Sequence, residues 1–125
     1  MPYHVYVVAL DPSVAKSPRF RARNPDLAID AECVYVGQSA HEPDCRYRQH
    51  KECHGPVIRF SCICERPLGD FSKNLSNRCV RTYGRFLRRD LYERQNPIRT
   101  RVQAERLEKE LARTLAAKGF GVWYA

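Results

Sequence analysis

The chain has 125 residues, enough for one domain with one core and too few for two. Its hydrophobic content of 43% is that of a globular protein and excludes a chain kept disordered by polarity. The 22 Lys and Arg against 14 Asp and Glu give +8, a balance that attracts polyanions, of which nucleic acid is the commonest inside cells. No run approaches the roughly 20 apolar residues of a membrane-spanning helix. The apolar start, Met1 to Leu10, lacks the basic lead-in of a secretory signal and breaks at Asp11-Pro12. A cytoplasmic protein without a membrane partner is therefore expected, its six cysteines serving as thiols or metal ligands and not as disulfides.

Tyr3 to Leu10 (YHVYVVAL) is short and rich in β-branched and aromatic residues, which predicts a strand. Residues 11–31 hold three prolines and no regular period, and read as a long loop with room for a helical turn. Cys33-Val-Tyr-Val-Gly37 is a second strand ended by glycine. Pro43 suits the first turn of a short helix running to about Glu52. Residues 53–79 carry His54-Gly55-Pro56, a strand-like Val57-Ile-Arg-Phe60 and Cys62-Ile-Cys64, and read as an inserted subregion.

Arg78, Arg81, Arg85, Arg88 and Arg89 then gather around Tyr83-Gly84, with a short helix expected near Arg88–Glu93. The clearest element is the last helix. Thr100 and Gln103 form a capping box, Gly119 is a stop, and Ala104, Leu107, Leu111 and Leu115 make one apolar stripe between them. Phe120 to Tyr124 closes a predicted α/β (α+β) domain with a small three-stranded mixed or antiparallel sheet flanked by helices.

Several residue groups carry chemistry. Arg46 and His50 lie four apart and share a helix face, where a guanidinium fork matches phosphate oxygens and an imidazole can pass a proton. Read blandly, the pair is a solvated polar face. Glu108 borders the apolar stripe of the last helix, while Glu105 and Glu110 point further outward. A carboxylate at the edge of a buried stripe needs a cation, hydrogen bonds or a metal, unless it reaches solvent. Tyr6 and Tyr35 sit mid-strand, where core packing is the default role. Cys53, His54, Cys62 and Cys64 are suitable types for tetrahedral zinc, although their spacing is irregular and buried free thiols are common. Arg19, Arg21, Arg23, Arg48, Arg85, Arg88 and Arg89 are the candidate nucleic-acid contacts.

Taken in order, these pieces resemble the GIY-YIG nuclease superfamily. Val5-Tyr6-Val7 is similar to its first strand motif and Tyr35-Val36-Gly37 to its second. Arg46-x-x-x-His50 resembles its helix-borne arginine and histidine, and Ala104-Glu-Arg-Leu-Glu108 its metal-binding helix. Leu115…Gly119-Phe-Gly-Val-Trp123 resembles the ending of bacterial members. The resemblance covers both ends of the chain and skips 53–77. It implies hydrolysis of a phosphodiester, in DNA ahead of RNA, with one Mg2+ or Mn2+ ion on Glu108. It further implies that Arg46 grips phosphate and Tyr6 takes the proton of the attacking water, with Tyr35 and His50 tuning that proton. Two other expectations stand beside it. One is a weakly catalytic nucleic-acid-binding module on the same fold, since Gly119-Phe120-Gly121 occupies the place where the family often has an asparagine; His4, in place of the glycine of the first motif, matters less. The other is a zinc-stabilised interaction domain built on residues 53–64.

Overall fold

In a computed structural model, residues 2–52 and 78–124 are described. Strand β1 (His4–Leu10) lies at the centre, antiparallel to β2 (Cys33–Ser39), with Tyr6 opposite Gly37 and Val8 opposite Tyr35. β4 (Gly121–Tyr124) runs parallel to β2, with Trp123 opposite Tyr35. The expectation of three strands is corrected by β3 (Gly84–Leu87), which pairs antiparallel with the last residues of β1. The sheet has four strands, in the order β3-β1-β2-β4. β3 escapes a pattern-based reading because it is four residues long and half of it is exposed, so no run of buried residues marks it.

The region read as a loop holds a short 3-10 turn (Pro12–Lys16) and helix α1 (Pro18–Arg23), each with proline at its start. α2 spans Pro43–Glu52, as expected from Pro43. α3 (Arg78–Tyr83) begins just inside the predicted insertion, and the helix expected at Arg88–Glu93 is two 3-10 turns, Arg89–Leu91 and Glu93–Gln95. α4 (Arg101–Ala117) is the longest element. The Thr100 hydroxyl accepts the Gln103 amide at its start, and Gly119 ends it at φ +99°, a conformation that glycine adopts without strain. The zinc candidates Cys53, His54, Cys62 and Cys64, and the strand-like Val57–Phe60, lie outside the described residues.

Alternation along the strands divides the sheet. Val5, Val7, Val34, Val36 and Val122 project to one side, where α4 lies against β2 and β4. Tyr6, Val8, Tyr35 and Trp123 project to the other, beneath α1, α2 and α3. Ala104, Leu111, Ala112 and Leu115 bury the α4 stripe in one continuous core with the valines, each large side chain contributing roughly 1.5–3 kcal/mol.

Two carboxamides complete the strands where backbone partners run out. Asn96 accepts the Val5 amide and donates to the Val5 carbonyl, both at 2.8 Å, beside the part of β1 that β3 does not reach. Asn24 does the same for Val122 at the outer side of β4. A primary carboxamide has the donor and acceptor of a peptide group, so each asparagine satisfies a strand residue that would otherwise leave backbone polar groups unpaired. No described helix is long and apolar enough to cross a membrane.

Candidate active site

β1 and β2 place Tyr6 and Tyr35 on one face, and their rings stand 6.1 Å apart. α2 lies over them because His50, one turn beyond Arg46, points down into the sheet. The Tyr6 hydroxyl and His50 Nε2 are 2.8 Å apart, and the His50 ring meets Tyr35 edge-on at 5.7 Å. His50 and Tyr6 are each 1% exposed, so the solvated-face reading of the Arg46–His50 pair does not describe His50.

Gly37 explains how the two motifs fit together. A Cβ on Gly37 would fall 2.5 Å from the Tyr6 ring carbon and hydroxyl oxygen and 3.0 Å from Tyr35. The Tyr6 ring therefore lies across the backbone of the residue opposite it, and only glycine leaves room for it.

Arg46 is half-buried and donates from Nη1 to Gln49 Oε1 at 2.8 Å. Its positive charge bears on Tyr6, Tyr35 and His50 together. Gln49, 1% exposed, is a residue that the sequence reading passed over. Its spacing of three from Arg46 was the available signal, since side chains at i and i+3 meet on a helix. Gln49 holds one guanidinium arm while its own buried Nε2 has no partner among the described residues.

Electrostatics define the resting state. Burial pushes Tyr6 well above its ordinary value, and Tyr35 adds to that, while Arg46 pulls it down. Burial likewise raises Tyr35 to about 12, against the pull of Arg46, and the Glu108 carboxylate raises it further. His50 is lowered to about 3 by burial first and by Arg46 second. At neutral pH the centre is thus a neutral imidazole between two neutral phenols, beside one fixed positive charge.

Glu108 comes from α4, in the same helical position sense as Leu111 and Leu115, and is 6% exposed. Burial first, and the neighbouring Glu105 carboxylate second, raise it to about 7, with Lys109 opposing. Among the described residues no three His, Cys, Asp or Glu side chains gather as a metal cage. Mg2+ or Mn2+ needs fewer protein ligands, because magnesium keeps several waters and binds through one or two carboxylates. A buried carboxylate that makes no ion pair among the described residues and has a raised pKa fits such an ion, which would restore its ionised form.

The arginine candidates divide. Arg19, Arg48 and Arg85 are exposed. Arg21 donates to the Ala15 carbonyl at 3.2 Å. Arg23 lies 3.8 Å above the Trp123 ring and donates to the Tyr124 carbonyl at 2.8 Å. Arg88 is paired with both Glu32 and Asp90, and Arg89 with Asp44 at 2.6 Å.

No protein-family model matches the chain, and no curated protein or solved structure is similar enough to count as a match.

Proposed function

We propose that the chain is a divalent-metal-dependent endonuclease acting on nucleic acid, DNA ahead of RNA, as its GIY-YIG-like motifs imply. The observation that carries the reading is the gathering of Tyr6, Tyr35, Arg46 and His50, from two strands and a helix, around the 2.8 Å hydrogen bond between Tyr6 and His50. Burying two phenols, an imidazole and part of a guanidinium costs more than filling the space with aliphatic groups, so a packing role alone is a poor account of it.

The roles follow from the charges. Arg46 binds a non-bridging phosphate oxygen with its fork and stabilises the negative charge that grows there in the transition state. Gln49 keeps the fork oriented. Tyr6 gives its own proton to His50 Nε2 along their hydrogen bond and then, as phenolate, takes the proton of the attacking water; Arg46 lowers the cost of that phenolate. His50, neutral and fixed by Tyr35, positions the Tyr6 hydroxyl and accepts its hydrogen bond through the Nε2 lone pair in one tautomer. A divalent ion held by Glu108 would supply charge neutralisation at the phosphate.

The test is incubation with labelled single- and double-stranded DNA and RNA, with and without Mg2+ or Mn2+. Metal-dependent cleavage of at least one substrate is the expected result. Binding without cleavage of any of them, at any metal concentration, would replace this reading with that of a nucleic-acid-binding module.

A further inference from the structure

A second aromatic cluster lies apart from Tyr6 and His50. A cavity of about 360 Å3 opens between α1, α3 and β4, walled by Phe20, Tyr83 and Trp123, with the exposed Arg19 and Arg78 among its lining residues. Phe20 and Trp123 are near-parallel, 12° apart with centroids at 6.4 Å, and Arg23 sits 3.8 Å over the Trp123 ring. Cys79 and Thr82 of α3 complete the wall.

Phe20 is buried and Arg23 covers one face of Trp123, so Tyr83 and the rest of Trp123 are the ring surface open to a ligand. With arginines beside them, they suit a flat apolar group that carries negative charge next to it. The volume falls at the small end of ligand pockets, which run from about 300 to 1,000 Å3. A nucleobase with its flanking phosphates has that shape and charge: bases stack on aromatic side chains, and arginines take the phosphates. A base inside a duplex is already stacked and paired, and entry would cost its unstacking.

We propose that this cavity accepts an unpaired nucleobase, with Arg19 and Arg78 holding the adjacent phosphates, which makes single-stranded or locally unpaired nucleic acid the preferred ligand. The inference rests on the proposed function for the class of ligand, and not for cleavage.

Trp123 is the chain's one tryptophan, so its emission reports on the cavity directly. The full chain is titrated in EDTA with a short single-stranded oligodeoxynucleotide, the same strand annealed to its complement, and an abasic version of the strand. Anisotropy of a label on the DNA gives affinity, and Trp123 quenching gives occupancy of the cavity. The single strand should quench, the duplex and abasic strand should not, and loss of the bases should weaken binding roughly tenfold or more. Thr82→Phe, a substitution at an exposed lining residue, should abolish quenching with the unfolding midpoint preserved. Equal quenching by duplex and single strand, tight binding of the single strand without quenching, or unchanged quenching in Thr82→Phe would each overturn the proposal. Metal-dependent cleavage is scored separately. Quenching without cleavage defeats the nuclease reading alone, and cleavage without quenching defeats the cavity alone.

Discussion

Arg46 and the pair Arg88–Arg89 are the same residue type put to opposite uses. Arg88 and Arg89 stand past the end of β3 and answer carboxylates: Glu32 and Asp90 for the first, Asp44 for the second. Those acids hold both guanidinium groups above their ordinary values and absorb their charge. Arg46 acts on two tyrosines and a histidine, groups that are neutral at pH 7, and donates to Gln49. The Arg46 charge eases ionisation of either tyrosine and opposes protonation of His50, whereas the charges of Arg88 and Arg89 go to carboxylates. A basic sequence therefore overstates a basic surface, and the arginines worth testing are those whose charge is not spent within the fold.

The largest effect is expected at Glu108, the buried carboxylate of α4. Glu108→Gln should abolish metal-dependent cleavage, a loss of several kcal/mol of transition-state stabilisation, while leaving affinity in EDTA within about twofold. Rates and anisotropy on the same preparation decide it, and a variant that cleaves at the wild-type rate would remove the metal ligand. Arg46→Lys comes next. Lysine keeps the charge and loses the fork, so cleavage should slow on the order of a hundredfold, roughly 3 kcal/mol, with binding little changed. Equal losses in both would make Arg46 an anchor for substrate in general.

The raised Glu108 also has a stability signature. Its folded value of about 7 stands above the ordinary 4.5, so the folded state holds the proton more tightly than the unfolded chain. Stability is then lost as pH rises from about 4.5 to 7, reaching roughly 3 kcal/mol above that window. His50 runs the other way: its folded value of about 3, below 6.5, means stability is lost as pH falls from about 6.5 to 3. The two oppose each other where the windows overlap. Glu108→Gln should therefore be more stable than wild type at pH 8, equal to it near pH 4, and should show the His50 dependence uncompensated. Denaturant unfolding across that range reads the difference, and parallel curves for the two proteins would show Glu108 to be solvated.

The smallest effects belong to the paired arginines. Arg88→Ala and Arg89→Ala should each cost about 1 kcal/mol or less, as exposed ion pairs do. They should leave the dependence of binding on salt unchanged, since neither releases counterions from a phosphate. Arg85→Ala should shallow that slope by about one unit if its exposed side chain makes one phosphate contact. A shallower slope for Arg88→Ala or Arg89→Ala would mean that nucleic acid displaces the carboxylates.

Local pattern was enough for much of the chain. The valine-rich runs of β1 and β2, Pro43 at the head of α2, and the Thr100 cap and Gly119 stop of α4 each carry their instruction within a few residues. Caps, glycine conformations and periodicity act over one or two turns of chain, so a sequence states them outright. β3 could not be read that way, because four half-exposed residues become a strand only when β1 offers them an edge. The site lies across the same divide. The resemblance of its motifs to a nuclease family singled out Tyr6, Tyr35, Arg46, His50 and Glu108, where type and spacing alone gave core and surface roles. It did not say that His50 is buried against Tyr6, that Gly37 makes room for the Tyr6 ring, or that Gln49 holds Arg46. Nor did it separate Arg46 from Arg88, whose partner Glu32 is 56 residues away. Burial and charge pairing are properties of what lies across the gap between elements, and that neighbour is chosen by the packing of the sheet and helices, not by the residues on either side in the chain.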